Sequence, residues 1–431
     1  MQAMQDSNIP WLGSVPSHWN RGKLKQYIFE ISEKNSPVKT TDILSLTNKL
    51  GVVPYEEKGN QGNTAKEKYD EYKLAYPDTI VANSMNILIG SVGYCAYFGC
   101  VSPVYYVFKN LKNGNLRYIN YIFQTTEFQK CLRQFSNGIL EIRQRVSAKT
   151  ILNQDFFFPT LDEQNMIVEY LDTKCTQIDT IIAKEQSAIE KLQEYKKSII
   201  TETIIKGLND SVERQNQGAV WFHGVPISWT FSELRHVTRD IFDIDHWMPE
   251  SRDEGIPYLM TGDLESRTSY IDFSKTKKIS IEDFNRLARN KYPCHHDIIM
   301  ARYASIGNCT YVDTSNQFLV SYSCLTIRPN IDEILPMFMY YYFKSYAFEE
   351  ECKVYIKSNT QENIGKDNLR RIKLVYPNIG EQALIVKYLD TKCANIDAVI
   401  LKKHSLIDKL TEYKKSLIYE VVTGKKEVPH V

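Results

Sequence analysis

Several clusters in this 431-residue chain carry side chains that could do chemistry. Cys294, His295, His296 and Cys309 are metal-ligand types, but their spacing matches no zinc module, and structural or solvent-exposed use is the simpler reading. Pro77-Asp78 followed by Asp172-Thr173-Lys174 mimics a nuclease pattern. The later acid and lysine recur as Asp390 and Lys392 without an upstream Pro-Asp, so they belong to a repeated helix. Thr423-Gly424-Lys425-Lys426 lacks the earlier glycine and the hydroxyl of a phosphate loop. No Asn/Asp-Pro-Pro-Tyr/Phe run of an amino-methyltransferase is present. The missing motifs disfavour a stand-alone nuclease or methyltransferase.

What remains is contact chemistry. Arg143, Gln144 and Arg145 suit guanine and adenine in a major groove, and the same residues hold phosphate. They equally suit an exposed basic strand or loop. Lys357, Thr360, Gln361 and Asn363 occupy the equivalent place in the second half of the chain. Asn83, Ser84, Met85 and Asn86 read as a reading loop or as a structural turn. Arg302, Tyr303 and Ser305 are their counterparts. Lys275, Lys277 and Lys278 face phosphate or only solvent.

The elements that must position these residues are duplicated. Pro159-Thr160-Leu161-Asp162-Glu163-Gln164, Tyr170-Leu171-Asp172-Thr173-Lys174-Cys175 and Glu194-Tyr195-Lys196-Lys197-Ser198 recur in the second half. There Pro377, Glu381-Gln382, Tyr388 to Cys393 and Glu412 to Ser416 match them at a constant offset, 381−163 = 412−194 = 218. Thr160-x-x-Glu163 and Asn378-x-x-Glu381 are helix-start capping signals. Apolar residues then step by four and three along Leu171, Cys175, Ile178, Ile182, Ile189 and Leu192. Leu389, Cys393, Ile396, Ile400, Ile407 and Leu410 repeat the pattern, which is a coiled-coil seam. Gly207 and Gly424 are stop signals. Residues 162–206 number 45, a helix of roughly 68 Å at 1.5 Å per residue. Such a one-sided rod needs a partner helix. Glu185 and Lys403 interrupt the two seams at the same offset, 403−185 = 218. An antiparallel pair about a pseudo-two-fold axis would make them meet at the crossing point.

The duplication starts earlier. Trp11, Val15, Pro16, Trp19 and Leu24 match Trp221, Val225, Pro226, Trp229 and Leu234 at offset 210. Each half is an opening Trp-Pro-Trp segment, a divergent body and a long exit helix, with a polar linker from Asn209 to Gly218 between them. The bodies, about 20–158 and 230–376, show β-branched and aromatic runs broken by glycine, and helical stretches at Tyr118–Leu132 and Met337–Phe348. Two copies that keep a scaffold and diverge in their bodies suit two different readers. With a helical turn of B-DNA at about 34 Å, such a spacer suits an asymmetric split target.

Composition restricts the class. Nine scattered cysteines fit reduced thiols in a cytosol, the first residues lack a signal sequence, and no apolar run approaches the ~20 residues of a membrane span. The net charge of +1 announces no nucleic-acid binder. Residues 21–160 carry 18 basic and 12 acidic side chains, or +6, whereas residues 231–378 carry 19 and 21, or −2. Any DNA affinity therefore comes from local patches or is shared with a partner.

Taken together, these residues resemble the specificity subunit of type I restriction-modification enzymes over essentially the full length. The resemblance rests on Trp-Leu-Gly-x-x-Pro-x-x-Trp, on Asn83-Ser84-Met85-Asn86 with Val101-Ser102-Pro103, on the two Pro…Glu-Gln helix starts, and on the Tyr413 to Lys425 tail. His223-Gly224 departs from the Leu-Gly of the first copy. The resemblance implies an α+β protein with two similar mixed α/β target recognition domains separated by two long antiparallel coiled-coil helices. It places the first domain at 1–158, the first helix at 159–208, the linker and second domain at 209–376, and the second helix and tail at 377–431. It further implies that each domain reads half of a bipartite site in double-stranded DNA. Two modification subunits using S-adenosylmethionine and restriction subunits using ATP and Mg2+ would dock, with no cofactor bound by this chain. The rival expectation is a coiled-coil adaptor presenting two protein-binding modules.

Overall fold

The computed structural model describes residues 3–47, 51–59, 68–111, 114–136, 145–303, 305–356 and 363–429. The chain divides into two compact units, one of Met1–Gln186 with His404–Val431 and one of Ser187–Lys403. The division falls inside both long helices, Leu161–Lys206 and Ile379–Val422. Each unit therefore contains one body, the first part of one long helix and the last part of the other.

In the first unit, a four-stranded antiparallel sheet has the spatial order Ile28–Ile31, Tyr105–Asn110, Thr79–Asn83, Val92–Cys95. Strand Asn20–Lys23 pairs with Asp155–Phe158, tying the start of the body to its end. Three smaller pairings join it, Met4–Asp6 with Ser14–Pro16, Leu44–Thr47 with Gly51–Pro54 and Lys73–Ala75 with Gly99–Val101. Leu171, Cys175 and Ile178 from the first long helix share one buried core with Leu417, Ile418, Val421 and Val422 from the second. Lys414 Nζ lies 2.6 Å from Asp179 Oδ2. The start of one helix thus runs beside the end of the other, which makes the pair antiparallel.

In the second unit the same sheet recurs in the order Thr238–Phe242, Cys324–Pro329, Ile298–Ala301, Cys309–Tyr311. Thr230–Glu233 pairs with Lys373–Tyr376. The accessory elements differ: Ile256–Leu259 pairs with Lys277–Ile279 and, in parallel, with Leu319–Val320. Ile385, Leu389 and Cys393 pack in one core with Ile200, Ile204 and Ile205. Lys196 Nζ contacts Asp397 Oδ2 at 2.6 Å, repeating the Lys414–Asp179 pair at offset 218. The helix pair is antiparallel here as well, and the scaffold is an internal repeat carrying divergent accessory elements.

The seam is buried where apolar residues dominate it. Ile189 and Ile396 are buried, whereas Ile182, Leu192, Ile400, Ile407 and Leu410 are half-buried. Gly207 and Gly424 end the helices with φ of 73° and 69°. That left-handed conformation is where glycine carries no Cβ penalty.

Two local expectations need correction. The stretch expected as one helix over Tyr118–Leu132 is two, Leu116–Gln124 and Thr126–Arg133. Thr125 is extended between them, its hydroxyl donating to the Ile122 carbonyl at 2.8 Å. In the second body the break falls at Ser345, between Pro336–Phe343 and Tyr346–Tyr355, with the same hydroxyl contact to Tyr342 at 2.6 Å. A short hydroxyl side chain competes with the helical ladder, which periodicity alone does not reveal.

The capping boxes are also only half formed. Glu163 N donates to Thr160 Oγ1 at 3.4 Å, and Glu381 N to Asn378 Oδ1 at 3.0 Å. The glutamate carboxylates do not complete the boxes, because each accepts an indole N–H. Trp19 Nε1 donates to Glu163 Oε1 at 3.0 Å and Trp229 Nε1 to Glu381 Oε1 at 3.3 Å. A buried indole N–H needs an acceptor more than an exposed helix start needs a second cap. The adjacent glutamines are buried too. Gln164 bridges Pro159 O and the Asn115 amide, and Gln382 bridges Pro377 O and the Leu335 amide. The repeated Glu-Gln dipeptide therefore locks each long helix to the opening segment and to the body helices.

Candidate nucleic-acid interface

The repeated acids that mimicked a nuclease are anchors. Asp172 accepts from the Tyr121 hydroxyl at 2.8 Å and pairs with Arg117 at 2.9 Å. Asp390 accepts from Tyr341 at 2.7 Å and lies 3.4 Å from Arg267. In each unit a carboxylate on the long helix holds a tyrosine and an arginine of its own body. Cys294 is exposed and Cys309 is buried. His296 hydrogen-bonds the Tyr311 hydroxyl at 2.6 Å.

In the second body the two candidate stretches come together. Tyr303 bridges Asn363, and the Ile364 amide donates to the Arg302 carbonyl at 3.1 Å. Arg302 and Tyr303 follow the end of the central strand Ile298–Ala301, and Asn363 and Ile364 precede the helix Lys366–Arg370. Arg302 itself is mostly buried, with 13% of its side chain exposed. Its Nη1 contacts Asp243 Oδ2 at 2.6 Å, and Lys366 contacts the other oxygen of Asp243 at 2.9 Å. Burial pushes the Asp243 carboxyl up, but the Lys366 ammonium and the Arg302 guanidinium outweigh it and hold it below its ordinary value. Tyr303 sits beneath the Arg302 guanidinium and lies 3.3 Å from His246, which stacks on Tyr322. Ser305 and Asn363 are exposed. Lys357, Thr360 and Gln361 lie outside the described residues.

In the first body the equivalent strand end is a turn. The Asn86 amide donates to the Asn83 carbonyl at 3.0 Å, and the Asn83 side chain accepts from the Met85 amide at 3.0 Å. Asn83 and Ser84 are buried, Met85 is half-buried and Asn86 is exposed. Asn83 and Ser84 shape the turn, leaving Met85 and Asn86 at the surface. Arg145 is exposed beside the same sheet, for Tyr106 on the neighbouring strand donates its hydroxyl to the Val146 carbonyl at 3.1 Å. Arg143 and Gln144 lie outside the described residues.

The lysines Lys275, Lys277 and Lys278 are engaged internally. Lys275 pairs with Asp272 at 3.1 Å, and the other two donate to the carbonyls of Pro249 and Asp253. Sequence reasoning missed Asp243, Lys366 and His246. They lie in the divergent bodies, and only the fold brings them to Arg302 and Tyr303.

Two bodies with one sheet topology, one helix anchor and different strand-end residues define an internally duplicated protein with two divergent bodies. A family model described as the type I restriction modification DNA specificity domain matches residues 16–191 and 237–407, and the chain belongs to that family. The type I restriction enzyme EcoBI specificity subunit of Escherichia coli is 20% identical over 287 residues, covering 65% of this chain. The match spans 60% of that relative's length. A solved chain from work on complex assembly and conformational transition of the type I R-M system superposes with a TM-score of 0.68 at 12% identity. It covers 96% of this chain and 99% of its own, a likeness of fold. The HsdS subunit from Thermoanaerobacter tengcongensis is 14% identical, with 96% and 98% covered and a TM-score of 0.48. Among the described residues no helix is long and apolar enough to cross a membrane.

Proposed function

We propose that this chain is the non-catalytic specificity subunit of a type I restriction-modification complex and reads a bipartite, asymmetric DNA site. Each body contacts one half-site through the loops at the end of its central strand. The first uses Met85, Asn86 and Arg145 with the neighbouring Arg143 and Gln144. The second uses Tyr303, Ser305 and Asn363 with Lys357, Thr360 and Gln361, while Arg302 holds those loops in place and offers its remaining edge. The long helices set the gap between half-sites and dock two modification subunits. Those subunits carry S-adenosylmethionine and methylate adenine, and restriction subunits add ATP- and Mg2+-dependent cleavage. This chain holds no cofactor in the scheme and works in the cytosol.

The observation that carries the reading is that one sheet topology and one Trp–Glu anchor are repeated while the strand-end loops differ. A scaffold kept constant beneath two different faces suits two different half-sites. The deciding experiment maps genomic adenine methylation in cells with and without this gene. The expected result is a split motif, two short defined halves around an unspecified gap, that vanishes with the gene. An unchanged methylation pattern would remove the reading.

A further inference from the structure

The two bodies differ in what their cations are doing. In the second body, among the described residues, the arginines and lysines are committed to the protein itself. Arg239 pairs with Asp332 at 3.1 Å, Lys291 with Asp240 at 2.6 Å, and Lys353 with Glu350 at 2.6 Å. Arg302 and Lys366 share Asp243, and Arg328 grips Asp297 through two nitrogens at 2.9 and 2.7 Å. Arg286 covers the Trp247 ring at 4.4 Å. A body with a net charge of −2 whose described cations already face acids, carbonyls or aromatic rings has little left to offer a polyanion.

The first body has the opposite character. Lys130 and Arg133 lie one turn apart on the helix Thr126–Arg133. Arg145 and Lys149 flank the start of the helix Ala148–Leu152. All four are exposed, and none has a hydrogen-bond or ion-pair partner for its side chain among the described residues. The two helices belong to one wall. Phe128 and Leu132 share a core with Val146 and Ile151, and Cys131 Sγ lies 3.8 Å from Gln154 Oε1. The corresponding helix of the second body, Tyr346–Tyr355, carries three glutamates. Glu349 pairs with Lys197, Glu350 with Lys353, and Glu351 accepts the Trp221 indole N–H at 3.0 Å.

We infer that the phosphate grip of the whole protein resides in the first body, on Lys130, Arg133, Arg145 and Lys149, and that the second body contributes contacts nearly independent of salt. The partner is the sugar-phosphate backbone of duplex DNA. The inference rests on the DNA-reading function proposed above and adds an asymmetry to it. Its physical basis is counterion release: each neutralised phosphate frees a condensed cation, so only unpaired protein cations steepen the dependence of affinity on salt. A lysine already paired with an aspartate must break that pair to do the same.

The test measures binding of the purified full chain to a random-sequence DNA duplex by fluorescence anisotropy across a range of salt concentrations. One variant combines K130Q, R133Q, R145Q and K149Q. A comparison variant combines R235Q, R252Q, K275Q and K353Q in the second body. The first set should flatten the plot of log affinity against log salt by about 3 to 4 units, at roughly 0.9 per phosphate. The comparison set should flatten it by less than about one unit on the same scale. A third variant with the conservative change K149R should keep the wild-type slope. Equal flattening by both sets, or no change with the first, overturns the inference while leaving DNA binding intact. An acidic protein surface as the true partner of the patch would show as that unchanged slope. If the wild-type chain binds no duplex at any salt, the DNA reading falls and the inference falls with it.

Discussion

The indole N–H of Trp19 meets the Glu163 carboxylate at 3.0 Å, and Trp229 makes the same bond to Glu381 at 3.3 Å. Each tryptophan also lies against the glycine that ends the other long helix of its unit, Gly424 for Trp19 and Gly207 for Trp229. One side chain therefore fixes where one helix starts and where its antiparallel neighbour stops. Replacing Trp19 with phenylalanine keeps a six-membered ring and removes the indole donor from Glu163 Oε1, with His18 still 3.1 Å from Oε2. A lost hydrogen bond to a charged group predicts destabilisation of about 1.5–3 kcal/mol. Denaturant unfolding of W19F and W229F checks it, and both should fall by similar amounts.

The two terminal glycines should not be equally sensitive. A Cβ on Gly424 would overlap the Pro16 ring and lie 2.9 Å from Trp19, whereas one on Gly207 would lie 3.0 Å from Trp229. Both alanine variants incur about 1–2 kcal/mol for the left-handed backbone. Overpacking adds about 1–3 kcal/mol where the neighbour cannot yield, and a proline ring yields poorly. Thermal unfolding should rank G424A clearly below G207A.

Apolar seam residues should outweigh the ion pairs beside them. Leu171 and Leu389 are fully buried, at 0% exposure, so L171A and L389A should each cost about 2–5 kcal/mol. Asp179 and Asp397 have 57% and 50% of their side chains exposed. Surface pairs of that kind contribute about 0–1 kcal/mol, so K414Q and K196Q should change stability by no more than that. Paired denaturant titrations of all four variants decide the ranking.

Asp243 gives the second body an acid-sensitive element. Its folded carboxyl is held below its ordinary value of 3.8 by Lys366 and Arg302, despite burial. For a depressed carboxylate the stabilisation is present above the unfolded value and is lost as pH falls through the folded one. D243N should therefore be less stable than the wild type at neutral pH. The gap should close as the medium is acidified below about pH 4, which unfolding curves of both proteins at stepped pH will show.

Lengthening the spacer tests the proposed measuring role of the helices. One heptad inserted into both adds about 10 Å, or roughly three base pairs at 3.4 Å each. The methylated motif should gain that gap and keep both halves unchanged. A motif with its original gap would remove the measuring role.

The duplication, the antiparallel seam and the glycine stops were legible in the sequence because they repeat at a fixed offset, and repetition exposes which positions matter. The tryptophan-to-glutamate bond was half legible. Both residues stood out, but a capping box explained the glutamate locally and concealed the longer contact. The helix breaks at Thr125 and Ser345 were hidden, since a hydroxyl that turns on its own backbone leaves the apolar period intact. Asn83 and Ser84 stood out as polar residues at a strand end, yet they are buried and serve the turn. Asp243 had no signal at all. It lies 59 residues before Arg302, just past the strand Thr238–Phe242, and only folding makes them neighbours.

The first unit is built from both ends of the chain, Met1–Gln186 and His404–Val431, whereas the second is the uninterrupted stretch Ser187–Lys403. Domains generally fold as units while the ribosome advances at about 5–20 residues per second. The body made first must therefore wait for the last helix turns to emerge, and the body made second can be complete before it. A premature stop near residue 403 would thus cripple the portion translated earliest.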